Sequence, residues 1–243
     1  MSDKLPILSA RALSHPLKDS AHESNPYLYQ NINLDIMPGE LITICGDSGI
    51  GKTTLLHQLA GLTTIEEGTV HLGNTNIGTS SINTMSEIRS KRIAVIYQQN
   101  TLLPDFTVAE NIQLPMMIAK APAHYRQQQS TDLLECMNLS HLTNRYPSSL
   151  SGGEQARIGI LRALSTQPDI IFADEPTGNL DPNNSIKCLE IIKKAQKMYH
   201  TTVVIVTHDM KIAKQADTCY WLKNKTLIRA DTHVKTSVAA EFG

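Results

Sequence analysis

The sequence contains few aromatic residues and almost no net charge. Phe, Trp and Tyr together are 5% of its 243 residues, which argues against an aromatic surface on which nucleic-acid bases would stack. Lys and Arg number 22 and Asp and Glu number 23, so the formal net charge is -1. This balance gives no strong electrostatic case for nucleic acid or an anionic membrane as the main partner. We therefore expect no nucleic-acid partner.

Long apolar runs are also missing. The longest are about five residues, such as residues 93–97, whereas a membrane-spanning helix needs about 20. The N-terminus has no apolar core of signal-peptide length. We therefore expect a cytoplasmic protein without direct membrane insertion. The cysteines are widely spaced and form no CxxC pair, which favours reduced core thiols over a disulfide or a zinc site.

Short apolar segments alternate with longer helical ones along the chain. Four segments are apolar almost without alternation, a pattern typical of strands that are buried on both faces of a parallel sheet. The clearest helix, residues 183–199, carries apolar residues at helical spacing on one face. Strands that alternate with helices predict an α/β fold. The four predicted parallel strands are residues 41–45, 93–97, 170–173 and 203–206.

Two regions depart from this alternation. Residues 28–36 alternate weakly, and residues 68–72 precede a Gly-Asn pair like one arm of a hairpin, so we also predict a smaller antiparallel sheet. Residues 107–166 show no strong strand pattern, and a helical insertion in the α/β domain is the simplest interpretation. The predicted helices there are residues 110–119, 126–137 and 153–164, and the tail after Arg229 is predicted to be loose.

Residues 46–53 (GDSGIGKT) fit the pattern G-x-x-x-x-G-K-[ST] of a phosphate-binding loop. They follow a predicted strand and open a helical run, which is the structural context that this motif requires. The glycines let backbone N–H groups turn toward phosphate oxygens, and the helix N-terminus adds positive potential. Lys52 is expected to reach the β- and γ-phosphates of a nucleotide, and the Thr53 hydroxyl to bind Mg²⁺.

Two carboxylates end the predicted strand at residues 170–173. Asp174 and Glu175 are neighbours, so strand alternation sends their side chains to opposite sides of the chain. Asp174 suits the coordination shell of Mg²⁺, usually through water, and Glu175 suits the orientation or deprotonation of an attacking water. A solvated pair at a strand end is the alternative, and the presence of the phosphate loop disfavours it.

A second glycine-rich helix start lies at residues 151–155 (SGGEQ). Ser151 is a good N-cap residue, and Gly152 and Gly153 expose backbone N–H groups, so this segment is a second candidate anion site. On its own, the motif fits an ordinary capped helix better.

Two polar residues follow other predicted strands. His208 comes after residues 203–206, and Gln98 comes directly after residues 93–97. Ligands bind beyond the carboxyl ends of parallel strands, which favours a functional role for His208 although a lone histidine is more often structural. Gln98 alone carries little weight.

In their order along the chain, these motifs resemble those of the nucleotide-binding subunit of ABC transporters, over about residues 5–229. The segment LSGGEQ is highly specific to that family, and a GTPase or an adenylate-kinase-like protein would not supply it. The phrases LLP, ENI and ADEPTGNLD look most like one bacterial subgroup, which includes lipoprotein-releasing, macrolide- or peptide-efflux and cell-division ATPases. The matching elements are the phosphate loop (46–53), the Q-loop Gln98, the signature segment (150–155), the Walker B carboxylates Asp174 and Glu175, the D-loop (179–181) and the switch His208.

The resemblance implies a P-loop NTPase fold, with a RecA-like parallel sheet core, an antiparallel β subdomain and an inserted helical subdomain. A single ABC ATPase domain is then expected over residues 1–243. Its core would comprise about residues 1–97 and 166–229, with the helical subdomain at about 98–165 and a loose tail at 230–243.

The resemblance also implies an active ATPase that uses ATP and Mg²⁺. Glu175 would act on the attacking water, and His208 would hold the γ-phosphate and position Glu175. Gln98 would contact both Mg²⁺ and the water, beside the further Mg²⁺ ligands Thr53 and Asp174, the latter through water. The residues that would bind ATP are Gly46, Asp47, Ser48, Gly49, Ile50, Gly51, Lys52, Thr53 and Thr54.

Two copies would pack head to tail as a homodimer, with ATP between the phosphate loop of one copy and the signature residues Ser151, Gly152, Gly153 and Glu154 of the other. Asp181 would communicate across the dimer. The helical subdomain would receive a short helix of an integral-membrane permease. This contact would place the chain peripherally on the cytoplasmic face of the inner membrane.

The implied function is that of the ATP-binding and ATP-hydrolysing subunit that energises a bacterial inner-membrane transporter, for lipoprotein release or macrolide- or peptide-type efflux. An ATP-driven regulator of a membrane protein, without transport, is the alternative. Two departures from the family pattern stand out. Ile50 replaces a small residue, and the region where an aromatic residue would stack on adenine offers His15 but no tyrosine, with Tyr27 and Tyr29 as later candidates.

Overall fold

The computed structural model describes residues 5–17, 26–98 and 102–230. It divides into two compact units, which are residues 1–81 with 204–243 (the first unit) and residues 82–203 (the second unit). The strands in the described part are β1 (Leu8–Pro16), β2 (Tyr27–Ile36), β3 (Leu41–Cys45), β4 (Glu67–Leu72), β5 (Thr75–Asn76), β6 (Ile93–Ile96), β7 (Ile170–Asp174), β8 (Thr202–Val206), β9 (Thr218–Lys223) and β10 (Thr226–Arg229). The α-helices there are α1 (Lys52–Leu59), α2 (Ile82–Lys91), α3 (Val108–Ile118), α4 (Ala123–Cys136), α5 (Gly152–Leu164), α6 (Pro182–Tyr199) and α7 (Met210–Ala213).

The first unit contains the predicted antiparallel sheet. Its strand order is β2-β1-β4-β5, and β1 pairs antiparallel with both β2 and β4. Alternate residues of β2, namely Ile32, Leu34 and Ile36, are buried, which produces the alternation seen in the sequence. β4 pairs with β5 across Gly73 and Asn74, so the hairpin prediction is confirmed.

The same unit holds the strand that leads into the phosphate loop. The strand order here is β10-β9-β3-β8, in which β3 runs parallel to β9 and β10 runs antiparallel to β9. Every residue of β3 and of β8 is buried, as expected for strands whose two faces are both covered. The predicted strands at residues 41–45 and 203–206 are therefore confirmed.

In the second unit most of the chain is helical. β6 pairs with β7 in parallel, from Ile93 opposite Ile170 to Ile96 opposite Ala173. Residues 107–166, all of which the structure describes, contain no strand, as predicted. The helices α3, α4 and α5 lie there, close to their predicted bounds, and α6 also begins and ends close to its prediction.

The observed elements confirm the α/β class, and they include β1, β9, β10 and α2, which the sequence analysis did not single out. The cysteines are free thiols, and Cys45, Cys188 and Cys219 are buried, as expected for core residues. None of the described helices is both long and apolar enough to cross a membrane. The predicted division into subdomains remains a prediction, and the predicted tail at 230–243 lies outside the described residues except for Ala230.

Candidate functional site

The phosphate loop connects the end of β3 to the start of α1, as its motif predicts. Gly49 and Gly51 have φ angles of +78° and +103°, in the left-handed region that favours glycine. Gly51 also lies against Leu28, because a Cβ at this position would be 2.7 Å from the Leu28 Cγ. Glycine at position 51 is therefore required by both the backbone conformation and the packing.

Helix α1 begins without a side-chain cap. Its N-cap residue is Gly51, which has no side chain to accept hydrogen bonds from the N–H groups of the first turn. The first turn also contains no acidic residue. A helix start without a side-chain cap or an acidic residue fits an anionic phosphate group, because the helix dipole is positive there and the backbone N–H groups can donate hydrogen bonds.

Lys52 is buried at the start of α1, with 6% of its surface exposed. Its Nζ donates hydrogen bonds to the carbonyl oxygens of Gly46, at 2.9 Å, and Asp47, at 2.7 Å. Both acceptors are neutral, so they orient the ammonium group within the loop without neutralising its charge. This arrangement fits a polyanionic phosphate chain as the ligand of the loop.

The structure shows the surroundings of Ile50 and of Tyr29, one of the candidates for stacking on adenine. The Cγ2 atom of Ile50 lies 3.2 Å from the position that a Cβ on Gly46 would occupy, so this branched side chain packs against its own loop. Tyr29 is completely buried, and its hydroxyl donates a hydrogen bond to Gln58 Oε1 at 2.7 Å. Burial also raises the pKa of Tyr29. Tyr29 is therefore a core residue, and it is excluded as the residue that stacks on adenine.

His208 is exposed and follows the end of β8. The preceding residue, Thr207, donates its backbone N–H to the carbonyl of Ile44 at 3.2 Å. Asp209 donates its own backbone N–H to Thr207 Oγ1 at 3.0 Å, which closes the turn around the histidine. The structure thus holds His208 beside the end of β3, where the phosphate loop begins.

Asp174 and Glu175 lie in different surroundings at the end of β7. Asp174 is the last residue of the strand and is 8% exposed, whereas Glu175 is half-buried. Glu175 has a φ angle of +43°, in the left-handed region that residues other than glycine rarely adopt. Backbone strain of this kind is typical of functional sites.

The side chains of Glu175 and Gln98 both lie close to Gly178, which the sequence did not mark as a site residue. Its backbone N–H donates to the carbonyl of Glu175 at 3.0 Å and closes a turn. A Cβ at Gly178 would lie 3.1 Å from Glu175 Oε2 and 3.4 Å from Gln98 Nε2. The carboxylate and the amide therefore both approach this glycine closely. Gly178 belongs to the quoted segment ADEPTGNLD, but a glycine in a turn is an ordinary feature and did not by itself indicate contact with Gln98.

The signature segment caps its own helix. Ser151 is the N-cap of α5: its Oγ accepts from the Glu154 N–H at 3.3 Å, and Glu154 Oε2 accepts from the Ser151 N–H at 2.8 Å. The Ser151 hydroxyl also donates to this carboxylate at 2.7 Å. That bond, together with the one from the N–H, holds the pKa of Glu154 below its ordinary value. The predicted N-cap role of Ser151 is confirmed.

Asp181 is exposed and caps α6. Its Oδ1 accepts from the backbone N–H groups of Asn183, at 3.0 Å, and Asn184, at 3.1 Å. The Asn184 side chain donates to Asp181 Oδ2 at 2.6 Å and is the main cause that lowers the pKa of Asp181. Asn184 Oδ1 also accepts from Arg157 Nη1 of α5 at 3.0 Å. The Asn184 amide, which the sequence did not single out, therefore joins Arg157 of α5 to the N-cap residue of α6.

The predicted site residues form two groups, one on each unit. The first unit carries the phosphate loop with Thr54, and it holds His208 beside that loop. The second unit brings Gln98 close to Glu175 and the signature helix close to Asp181. Its predicted site residues are Gln98, Ser151, Gly152, Gly153, Glu154, Asp174, Glu175 and Asp181.

Comparisons with known proteins agree on one family. A family model described as ABC transporter matches residues 29–178. The lipoprotein-releasing system ATP-binding protein LolD of Pseudoalteromonas translucida (strain TAC 125) is 35% identical over 229 residues, which are 94% of this chain and 98% of that protein. The protein of the same name from Cytophaga hutchinsonii is 40% identical over 188 residues, which are 77% of this chain and 86% of that protein.

A solved structure shares the architecture. It is described as the dimeric structure of a post-hydrolysis state of an ATP-binding cassette bound to ADP and Pi. The TM-score is 0.80 at 31% sequence identity, and the match covers 90% of this chain and 96% of that one.

Proposed function

Because the chain belongs to the ABC transporter family, we propose that it is the ATP-binding and ATP-hydrolysing subunit that energises lipoprotein release from the bacterial inner membrane. The observation that carries this proposal is similarity along nearly the whole length of the chain. The match covers 94% of this chain and 98% of a lipoprotein-releasing system ATP-binding protein. The alternatives are macrolide- or peptide-type efflux and ATP-driven regulation without transport. Depletion of the chain in cells separates them.

The phosphate loop would bind the triphosphate of ATP. The uncapped start of α1 offers backbone N–H donors, and the Lys52 ammonium lies within hydrogen-bond distance of two loop carbonyls. On binding, an anionic phosphate oxygen would replace these neutral acceptors, so that both partners of the bond would carry charge. The exposed His208 beside the loop would donate a hydrogen bond to the γ-phosphate.

The residues that would hold Mg²⁺ are Thr53, Gln98 and Asp174, the last through water. Their hydroxyl, amide and carboxylate oxygens are of the type that Mg²⁺ prefers. The fit rests on the chemistry of this donor set, in which Asp174 supplies a carboxylate at the end of the core strand β7. When bound, Mg²⁺ would offset negative charge on the phosphate oxygens.

Glu175 would orient the attacking water and accept its proton. Two observations support this role, namely its left-handed backbone conformation and the approach of Gln98 to the same glycine. The Gln98 amide would restrict where the Glu175 carboxylate points, which matters because a general base must lie within hydrogen-bond distance of the proton that it accepts.

We infer that two copies form a homodimer. Each chain carries an open helix start at the phosphate loop and a second helix start at the signature segment, where Ser151 and Gly152 are exposed. In an isologous dimer, both helix starts of each copy would take part in ATP binding. ATP would lie between the phosphate loop of one copy and Ser151, Gly152, Gly153 and Glu154 of the other. Asp181 would communicate between the two ATP sites.

An integral-membrane permease would dock on the predicted helical subdomain, residues 98–165, and hold the chain on the cytoplasmic face of the inner membrane. The end of α3 supports this proposal, because Met117 and Ile118 are 48% and 65% exposed. Ile118 and Pro115 also line a groove of about 300 Å³. Exposed apolar residues beside a groove are typical of a helix-docking surface.

Capture from membranes tests the permease. Tagged Glu175→Gln, which would retain bound ATP, is incubated with detergent-solubilised inner membranes of the source bacterium. We expect an integral-membrane protein to copurify, and Ile118→Glu to reduce its yield. Ile186→Glu is the matched control, because Ile186 is also an exposed isoleucine, at 54%, on a different helix. Capture of no integral-membrane protein would contradict the proposal.

Depletion in cells tests the cargo. We expect lipoproteins destined for the outer membrane to accumulate in the inner membrane when the chain is depleted, and wild-type expression to restore their release. Normal lipoprotein release with increased macrolide sensitivity would instead support efflux. Normal release with a cell-separation defect would support the regulatory alternative.

A further inference from the structure

Asn184 lies in the first turn of α6 and contacts both α5 and Asp181, the N-cap residue of its own helix. Its side chain packs against Gly153 of the signature segment, where an added Cβ would collide with the amide group. It accepts a hydrogen bond from Arg157 at 3.0 Å and donates one to Asp181 at 2.6 Å.

Chemistry fixes the orientation of this amide. A guanidinium group can only donate hydrogen bonds, and an ionised carboxylate can only accept them. The oxygen of Asn184 must therefore face Arg157, and its nitrogen must face Asp181. Reversing the amide would place two donors together on one side and two acceptors on the other.

We propose that Asn184 is a positioning residue, which holds Asp181 in register with the signature segment and thereby sets the rate of ATP hydrolysis and of ATP-driven dimer formation. The inference rests on the proposed function, in which the signature segment and Asp181 act at the ATP sites of the dimer. Asn184 acts through these residues and does not itself contact nucleotide.

The local structure explains why Asp181 needs such a partner. Asp181 is exposed, so packing does not restrict its side chain. Two backbone N–H groups hold its Oδ1, and the Asn184 side chain is the group that holds its Oδ2. This charge-assisted bond fixes the second oxygen and favours the ionised form, in line with the lowered pKa of Asp181.

Gly153 allows the Asn184 side chain to lie close to the start of α5. Its missing side chain lets the Asn184 amide approach the first turn of α5, where a Cβ would come within 2.7 Å of Nδ2. Arg157, one turn further along α5, binds the other side of the same amide. A displacement of either helix start therefore changes the position of Asp181, because members of one hydrogen-bond network do not respond independently.

Three variants separate positioning from helix capping. Asn184→Ala removes both side-chain bonds and keeps the backbone N–H that binds Asp181. Asn184→Asp keeps an oxygen for Arg157 but sets a second carboxylate opposite Asp181. Asn183→Ala is the matched control, because the neighbouring asparagine binds Asp181 through its backbone N–H, which alanine retains.

The measurements are kcat and KM for ATP, the affinity of the separate chain for a fluorescent nucleotide, and the dimer dissociation constant in a Glu175→Gln background. For Asn184→Ala we expect kcat to fall about tenfold and dimerisation to weaken about tenfold, with nucleotide affinity within about twofold of wild type. Asn184→Asp should be at least as impaired, and Asn183→Ala should match wild type. If the role of Asn184 were purely structural, Asn184→Ala would lower the melting temperature but would not change kcat at temperatures well below that melting temperature.

Wild-type kcat and dimerisation in folded Asn184→Ala would overturn the inference and leave the proposed function intact. If Asn184→Ala does not fold, the same wild-type values in Asn184→Asp would overturn it. Absence of ATP hydrolysis in the wild-type chain would overturn the proposed function, and the inference with it.

Discussion

The starts of α1 and α5 both expose glycine-rich backbone, yet they are built in opposite ways. α1 begins at Gly51, which provides no side-chain cap, and it continues with the buried Lys52. α5 begins with a complete capping box, in which Ser151 and Glu154 satisfy each other's backbone N–H groups. The sequence indicates an anion site at both places, whereas the structure leaves the N–H donors without a side-chain cap only at α1.

The difference has a functional meaning. An uncapped helix start with a buried ammonium group favours an anionic ligand whenever one is present. A capped start is stable in the separate chain, and a ligand there has to compete with Glu154 for the Ser151 hydroxyl. This contrast fits the proposed function, in which the first site binds ATP in each chain and the second acts when two chains meet.

Replacing Lys52 should have the largest effect. Lys52→Ala removes the buried ammonium group from the phosphate loop, and we expect ATP hydrolysis to fall about 10³-fold with a large loss of nucleotide affinity. Fluorescent-nucleotide titration and a phosphate-release assay measure both. Lys91→Ala is the control, because Lys91 is an exposed lysine paired with Glu87, and it should leave both quantities within about twofold. Unchanged nucleotide affinity in Lys52→Ala would contradict the assigned role of α1.

Replacing Gly178 should have the next largest effect. The added methyl group of Gly178→Ala would press on Glu175 Oε2 and Gln98 Nε2, and we expect kcat to fall about tenfold with little change in ATP affinity. Gly159→Ala is the control, since a Cβ there meets nothing within 4 Å. It should keep the wild-type kcat and raise the free energy of unfolding by about 1 kcal/mol, because alanine is the better helix former. A wild-type kcat in Gly178→Ala would mean that the Glu175 position is not critical.

A comparison of two capping boxes tests the signature segment itself. Thr107 and Glu110 cap α3 with the same pattern as Ser151 and Glu154. Ser151→Ala and Thr107→Ala should each lower the free energy of unfolding by about 1 kcal/mol. Only Ser151→Ala should also reduce ATP hydrolysis, because only Ser151 is proposed to contact ATP. Equal hydrolysis in the two variants would assign Ser151 to capping alone.

The smallest predicted effect is a change in the free energy of unfolding at acidic pH. Hydrogen bonds from Ser151 hold the pKa of Glu154 below its ordinary value, so the carboxylate adds stability above about pH 4.3, the ordinary glutamate pKa. That contribution is lost as the pH falls through the lowered pKa of the folded state. The stability difference between wild type and Ser151→Ala should therefore shrink below about pH 4. Urea unfolding at pH 7 and at pH 3.5 measures it, and a constant difference would contradict the role of the Glu154 charge.

Part of the fold was predictable because the signals were strong. Continuous apolar segments marked β3, β6, β7 and β8, and regular helical spacing marked α6. β1 gave a weaker pattern, because its pairing with β2 and β4 contains register shifts and Ala12 adopts a positive φ angle. α2 buries only Met85 and Ile88, so its apolar face is too sparse to be recognised from the sequence.

The residues of the candidate site also differ in how well the sequence predicted them. The phosphate loop could be predicted because its backbone requires glycines at fixed spacing, and the carboxylates because they end an apolar strand. Gly178 and Asn184 could not, because a glycine in a turn and an asparagine in a first helical turn are common residues at such places. Their importance comes from contacts with Gln98 and Arg157, which are distant in sequence.

The central claim is that the first unit supplies nucleotide binding and the second unit supplies the group that activates water. Nucleotide titration and single-turnover hydrolysis, performed on the same preparations of wild type, Lys52→Ala and Glu175→Gln, test it most directly. We expect Lys52→Ala to lose both binding and hydrolysis, and Glu175→Gln to bind ATP normally while hydrolysing it at least 10²-fold more slowly. Hydrolysis at the wild-type rate by Glu175→Gln would contradict the account.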